Sequence, residues 1–382
     1  MEAAVGAGDV AVVSLDLHKK FSRAVAMNAD AVVLKDVRVM HDDRQEMERF
    51  LEQFERGTDV VIEATFNWPW IADIATKCGL HAHLGDPMRL KNQRKGLPKS
   101  DRKDAIGAGT LWLRKMFPEA YLAPPDVRNM RAVFRMRVLF VRMRTALKNN
   151  IHAQLFKLGV NTDETSDAFA DAGRWAMTRL DLDDASRTEL HRKLGLLDDL
   201  MHHIAKLDKS IKDEVRSNED AKLLDTLPGF AEITSHGFLA EIGTVTRFPN
   251  GRALAAYGGG LPLDNESADQ DHGKHTGWHC NRFLRWITLE AVNGAVHKSP
   301  RMKSLYERVK RRNKNAPGMA RVAVVRELQE LAHLLLTRRV PYMETPPARP
   351  GSRAAQGTSD RRPARPPQSS RAPRPAQSSL EQ

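Results

Sequence analysis

Val10-Ala11-Val12-Val13-Ser14-Leu15-Asp16-Leu17-His18-Lys19 is the stretch on which the reading of the fold turns. Val10–Leu17 is rich in β-branched and apolar residues, as a buried strand is, yet Asp16 sits inside it between two leucines. A charge in an otherwise apolar strand is expensive unless a partner compensates it. Outward from there, Ala24–Met27 and Ala31–Met40 follow at hairpin-like spacing, and a polar helix-forming stretch, Asp42–Arg56, leads into a second buried strand, Asp59–Glu63. A helix pattern at Trp70–Cys78 precedes a short strand at His81–Leu84, closed by Asp86-Pro87. Three strands in a meander, then helix, strand, helix and strand, predict an α/β domain.

That order is the one expected of an RNase H-like domain, although many α/β domains share it. Glu63 ends the strand Val60-Val61-Ile62-Glu63, and Asp101 and Asp104 lie in Lys99-Ser100-Asp101-Arg102-Lys103-Asp104-Ala105. A spacing of three puts both aspartates on one helix face. In an RNase H-like sheet the first and fourth strands are neighbours and a later helix packs across their ends. Four carboxylates converging there repel one another unless divalent cations neutralise them. The expectation is two Mg²⁺ or Mn²⁺ ions, roughly 4 Å apart, activating a nucleophile and stabilising a leaving oxygen in phosphoryl transfer. The opposing reading is unrelated surface acids in a chain with 48 of them. It suits Asp101 and Asp104, since acids favour a first helical turn, and suits Asp16 badly.

The bulk composition narrows the partners. A net charge of +12 and a pI near 9.8 point to a polyanion, nucleic acid or an anionic membrane. The membrane is the weaker choice, because no stretch approaches the roughly 20 apolar residues of a spanning helix and no apolar h-region follows a basic N-terminus. Two cysteines, Cys78 and Cys280, are too few for a disulfide framework. The expectation is a soluble, cytoplasmic, nucleic-acid-binding protein of several domains.

From about residue 127 the pattern becomes that of long helices. Val133, Met136, Phe140, Met143, Leu147, Ile151, Leu155 and Leu158 recur every three or four residues, with six positive and no acidic residues between 131 and 148. Leu190, Leu194, Leu197, Met201, Ile204, Ile211 and Val215 keep a heptad rhythm, broken at Asp208. Two such helices suit an antiparallel hairpin or a coiled coil between subunits. The arginines are a solvated flank or a nucleic-acid track, and the track is the expectation. Residues 8–126 then form the RNase H-like (RuvC-like) domain, 127–218 a helical coiled-coil region and 222–340 a mainly helical domain. The Pro/Arg/Ser-rich segment 346–382 cannot bury enough apolar surface to fold; it is a basic nucleic-acid-contacting tail or a plain linker-like one.

A loop serine stands apart in Tyr257-Gly258-Gly259-Gly260-Leu261-Pro262-Leu263-Asp264-Asn265-Glu266-Ser267. Cations or a metal could make it a nucleophile towards phosphorus, though most loop serines do nothing chemical. Asp271, His272, His275, His279 and Cys280 lack a second paired Cys or His element, so a polar loop facing phosphate is preferred to zinc. Thr226–Thr234 resembles a helix-hairpin-helix turn, but Ala231 replaces its second glycine, so phosphate binding and plain packing stay open. Trp68 and Trp70 read as core before they read as base-stacking residues. The 258–260 glycines lack the Lys-Ser/Thr of a P-loop.

With these blocks in this order, the chain resembles the DEDD-type insertion-sequence transposases, bridge-RNA-guided serine recombinases with an RNase H/RuvC-like N-terminal domain. The resemblance runs to about residue 340. It is carried by the Asp16 strand, Ile62-Glu63-Ala64-Thr65 and Lys99–Ala105. A C-terminal series follows: Leu227-Pro228-Gly229, Ala240-Glu241-Ile242-Gly243, Arg247-Phe248-Pro249, Leu254–Tyr257, Gly260-Leu261-Pro262, Ser267 and Asn281-Arg282-Phe283-Leu284-Arg285. It implies that Asp16, Glu63, Asp101 and Asp104 form the metal site and that Ser267 forms a covalent phosphoserine with DNA. It further implies donor and target DNA as partners, a structured guide RNA, and a homo-oligomer (dimer or tetramer) in which one subunit's serine completes another's carboxylate site. Arg131, Arg135, Arg142, Lys148, Lys274, Asn281 and Arg282 are the candidate nucleic-acid contacts. The competing expectations are a Holliday-junction-resolvase-like nuclease, with Ser267 inert, and a non-catalytic nucleic-acid-binding protein from an inactive element.

Overall fold

The computed structural model describes residues 9–93, 100–160, 168–263, 266–267, 270–271, 275–276, 280–314, 316 and 318–344, with the backbone alone within 262–279. Strands β1 (Val12–Leu17), β2 (Phe21–Met27), β3 (Val33–Met40), β4 (Asp59–Glu63), β5 (His81–Gly85) and β6 (Glu119–Ala120) make one six-stranded sheet in the order β3-β2-β1-β4-β5-β6. The meander β1–β2–β3 is antiparallel, β1–β4 and β4–β5 are parallel, and β6 closes the edge antiparallel to β5. Helices α1 (Arg44–Leu51) and α2 (Trp68–Lys77) connect the strands, followed by α3 (Pro87–Gln93) and α4 (Asp101–Leu113). This mixed sheet followed by helices is consistent with an RNase H-like fold.

The strand period of two decides which side chains meet. Val13, Leu15, Val60 and Ile62 pack with Met47, Phe50, Leu51 and Ile71 on the α1/α2 face. Val12 and Val61 pack with Val25, Met27 and Ala105 on the α4 face. Counting by twos from Val12 reaches Asp16, and from Val61 reaches Glu63, so both carboxylates belong to the α4 face. The parallel register that pairs Leu15 with Ile62 sets Asp16 and Glu63 side by side one step further on. Helix α4 lies close on this face because Gly109 has no side chain: a Cβ there would stand 2.1 Å from Met27 Cε and 3.2 Å from Ser14 Cβ. Trp68 and Trp70 pack against the α1/α2-side core, the outcome their default reading predicted.

Helix α5 (Pro125–Lys157) and, after α6 (Asp171–Thr178), helix α7 (Asp184–Ser217) pack on each other within the chain as an antiparallel hairpin. Ile151 and Leu155 meet Leu190, Leu194 and Leu197 near one end, and Arg137 pairs with Asp208 near the other. Asp208, which interrupts the heptad, is thus compensated by a facing arginine. The remaining helices are α8 (Glu219–Asp225), α9 (Glu232–Ile242), α10 (Gly251–Tyr257), α11 (Arg282–Lys298), α12 (Pro300–Arg312) and α13 (Gly318–Arg338). Phe238, Leu254, Leu284, Val292, Val324 and Leu328 form their shared core, which also takes in Ile211 and Val215 of α7. Gly229 (φ +85°) turns the chain between α8 and α9, where a Cβ would meet the Ala291 carbonyl oxygen at 2.1 Å. The Thr226–Thr234 turn thus packs closely against α11 through Gly229. No helix among the described residues is long and apolar enough to cross a membrane.

Candidate metal centre

The first turn of α4 begins where Ser100 caps it, its side chain accepting from the Lys103 N–H at 3.2 Å. Asp101 and Asp104 then occupy that turn, where the exposed peptide dipoles favour negative charge. The turn is tied to the sheet by Arg102, whose Nε donates to Asp36 Oδ2 of β3 at 2.6 Å, while Arg23 of β2 lies 2.6 Å from the other Asp36 oxygen. The two guanidiniums, Arg23 foremost, hold the Asp36 carboxyl below the usual carboxylate range.

Asp16, its side chain 15% exposed, faces this turn across the ends of β1 and β4. Its carboxyl is pushed up, first by burial and then by the negative charges of Asp104, Asp101 and Glu63, against a lowering pull from His18. All four acids singled out in the sequence are therefore electrostatic neighbours. His18 is the residue that sequence reasoning missed. Its Nε2 stands 3.1 Å from Asp16 Oδ2 and 3.2 Å from Asp101 Oδ2, and ligand atoms of the three residues lie within 4.8 Å of one another. That nitrogen is buried and, despite these short distances, has no aligned hydrogen-bond acceptor. The signal was available: His18 follows Asp16 by two, the spacing that keeps side chains on one face of an extended chain. Hard carboxylate oxygens clustered beside an unbonded imidazole nitrogen are a donor set that fits a divalent cation.

The basic residues of α5 divide. Arg131 donates through Nε to the Ala240 carbonyl at 2.6 Å and through Nη2 to the Glu241 carbonyl at 3.0 Å, serving the open C-terminal end of α9. Arg135 grips the fully buried Glu241 carboxylate with two bonds of 2.8 Å. Asn281 caps α11 and donates to Glu241 Oε2 at 2.8 Å and to the Tyr257 hydroxyl at 3.0 Å. Arg131, Arg135 and Asn281, expected as nucleic-acid contacts, bond a helix end and a buried carboxylate here, while the Arg135 side chain stays 43% exposed. Arg142 and Arg282 are exposed, and Lys148 is half-buried with its ammonium 4.6 Å from the Phe169 ring centre. Ser267 lies in a two-residue strand, Glu266–Ser267, paired with Gln270–Asp271. Its side chain, Lys274 and the 346–382 tail lie outside the described residues.

Residues 13–158, which include all four acids, match a transposase family model of the DEDD type, and residues 221–307, which include Ser267, match the transposase IS116/IS110/IS902 family. The chain belongs to the DEDD-type insertion-sequence transposases. The transposase is 23% identical over 344 residues to a protein of insertion element IS116 from Streptomyces clavuligerus, covering 74% of this chain and 84% of that one. It is 24% identical to the transposase of insertion element IS1111A from Coxiella burnetii, covering 63% of this chain and 70% of that one. A probable family 20 transposase from Pseudomonas aeruginosa is 26% identical over 56% of this chain and 65% of its own. A transposase is a DNA-cleaving and recombining enzyme, so its substrate is DNA.

Proposed function

We propose that this transposase cuts and joins the DNA of an insertion sequence by phosphoryl transfer, with divalent cations held by Asp16, Glu63, Asp101 and Asp104, joined by His18, and with Ser267 as nucleophile. The observation that carries the metal part is the Asp16 carboxyl, 15% exposed, whose ligand atom clusters within 4.8 Å of those of Asp101 and His18, with Glu63 next to it in the strand register. When bound, Mg²⁺ or Mn²⁺ supplies neutralisation of the carboxylates and Lewis-acid polarisation of phosphoryl oxygens. The Arg102–Asp36–Arg23 cluster keeps the first turn of α4 against the sheet, so that the two helix acids stay aimed at the two strand acids.

The serine part rests on the family. Ser267 Oγ attacks a backbone phosphorus, an Oγ–P bond forms, one P–O bond of the strand breaks, and the departing oxygen takes up a proton. A strand hydroxyl then attacks the phosphoserine, rejoining DNA and restoring the serine. A structured guide RNA pairing with donor and target DNA supplies sequence choice. The active form is a homo-oligomer, a dimer or tetramer, whose subunits combine serine and carboxylate sites.

The test is to incubate the purified protein and its RNA with end-labelled element-end DNA and Mg²⁺, and to look for a denaturant-stable protein–DNA adduct. The adduct is expected from wild type and from neither Ser267→Ala nor Asp16→Asn. Metal-dependent cleavage that survives Ser267→Ala without an adduct would replace this reading with a carboxylate-only nuclease.

A further inference from the structure

Helix α12 buries Met302 and half-buries Leu305 and Tyr306 against the C-terminal core. The rest of its circumference is basic: Arg301, Lys303, Arg308, Lys310, Arg311 and Arg312 stand against the single acid Glu307. Arg301 is paired with Glu327. Arg308, Arg311, Arg312 and, just beyond, Lys314 are exposed and in no ion pair among the described residues. Arg308 stands three and four positions before Arg311 and Arg312, spacings at which like charges repel. The favourable pull of the helix C-terminus on cations offsets part of this repulsion. Apart from the Arg311 Nε bond to the Glu307 carbonyl at 3.3 Å, such a face stores electrostatic cost that a polyanion would relieve.

A second observation locates this face. Along α13, His333 Nε2 bonds the Phe248 carbonyl at 3.0 Å, and Gln329 Nε2 bonds the Gly258 carbonyl at 3.1 Å. A Cβ on Gly260 would stand 2.9 Å from Arg326 Cα. The chain from Phe248 to Gly260 thus climbs α13 towards its N-terminus. It delivers Leu261 near the turns that carry exposed Arg321, five residues or roughly 7.5 Å of helix rise before Arg326. The chain returns at Cys280, whose Sγ would be 2.8 Å from a Cβ on Gly259, and starts α11 with exposed Arg282. The end of α12, the start of α13 and the start of α11 therefore share one end of the bundle, around both anchors of the Ser267 segment.

We propose that this end of the bundle grips the phosphate backbone of duplex DNA, with Arg308, Arg311, Arg312, Lys314 and Arg321 as contacts beside the Ser267 segment. The surface is sequence-blind, because arginines and lysines spread over a convex helix face meet phosphates and do not read bases. Duplex DNA is the occupant because the family recombines DNA. The inference stands on that family chemistry and does not need Ser267 to be the nucleophile.

The test uses the full-length protein. A quadruple variant, Arg308→Gln, Arg311→Gln, Arg312→Gln and Lys314→Gln, is compared with an equal-charge control on α7, Arg192→Gln, Lys206→Gln, Lys209→Gln and Lys212→Gln. Circular dichroism checks that each is folded, and single Arg308→Gln and Arg312→Gln variants replace the quadruple one if it is not. Anisotropy titrations of a random-sequence 40-base-pair DNA duplex, and of the matching RNA duplex, are run between 50 and 300 mM KCl. Each lost phosphate contact lowers the log–log salt slope by about 0.9. At 0.15 M salt, affinity then falls about thirtyfold if two of the four residues touch phosphate and about 10³-fold if all four do. The expected result is this loss for DNA in the patch variant, with less than threefold change in the control. Equal losses in both variants, or no loss in the patch variant, would overturn the proposal. A loss confined to the RNA duplex would overturn it too, because the surface would then be an RNA site.

Discussion

Arg135→Ala would strip the partner from a carboxylate that water cannot reach. Glu241 is 0% exposed, and Arg135 supplies two of its acceptor contacts at 2.8 Å, leaving Asn281 Nδ2 as the remaining donor. Breaking a buried ion pair from one side costs about 3–5 kcal/mol, most of it the penalty of the orphaned charge. The Arg135 side chain is 43% exposed, so water entering the vacated space recovers part of this, and a loss of about 2–3 kcal/mol is expected. With a urea m-value of about 2–3 kcal/mol/M, the midpoint of the transition involving α9 and α11 falls by roughly 1 M. The assay is urea unfolding followed by far-UV circular dichroism on wild type, Arg135→Ala and Arg135→Ala/Glu241→Leu. The double variant should regain most of the loss, since it leaves no charge buried. If Arg135→Ala stayed within about 0.5 kcal/mol of wild type while flattening the salt dependence of DNA binding, the inward assignment would fail and Arg135 would be a phosphate contact.

Gly229→Ala should cost about 3 kcal/mol or more, because φ is +85° and the added methyl would strike the Ala291 carbonyl; loss of soluble yield or a fall in Tm of about 5 °C or more measures it. Asp16→Asn should raise Tm in EDTA by removing a charge that burial and three acids disfavour, while Mg²⁺ should raise the Tm of wild type and leave the variant's unchanged. Destabilisation of the EDTA form by this substitution would show that the carboxylates do not crowd. His236, buried between Phe134 and α7, has its imidazole pushed below the ordinary value by desolvation, with the Glu214 bond opposing. The folded state therefore binds this proton less readily than the unfolded chain does. Its contribution is full above the unfolded value of about 6.5 and is lost as pH falls below it. His236→Gln should flatten that fall between pH 6.5 and 5 in denaturation midpoints, and an unchanged slope would count against the assignment.

Much of the sheet was legible because buried strands announce themselves through apolar runs, and Asp16 was conspicuous as the one charge in such a run. Period-two alternation from Val12 and Val61 carries Asp16 and Glu63 to one face, and the i,i+3 spacing carries Asp101 and Asp104 towards it. The strand expected over Ala31–Met40 begins only at Val33, because Ala31 takes φ 62° in the turn. The two-residue β6 left no pattern to find. The roles of the α5 arginines were illegible for a different reason. A row of cations every three or four residues looks the same whether it faces phosphate or a buried glutamate, and only the packing of α9 on α5 brings Glu241 and the Ala240 carbonyl to Arg131 and Arg135. A lone histidine after a strand is ordinary in sequence, and the meaning of His18 comes from the helix that carries Asp101.

The central claim, two chemical centres acting in one recombination reaction, is tested most directly in cells carrying the gene beside its native flanking DNA. Amplification across the joined element ends should give a circular-junction product with wild type and none with Asp16→Ala or Ser267→Ala, both proteins being present at wild-type levels. A junction product that persists in either variant would contradict the account.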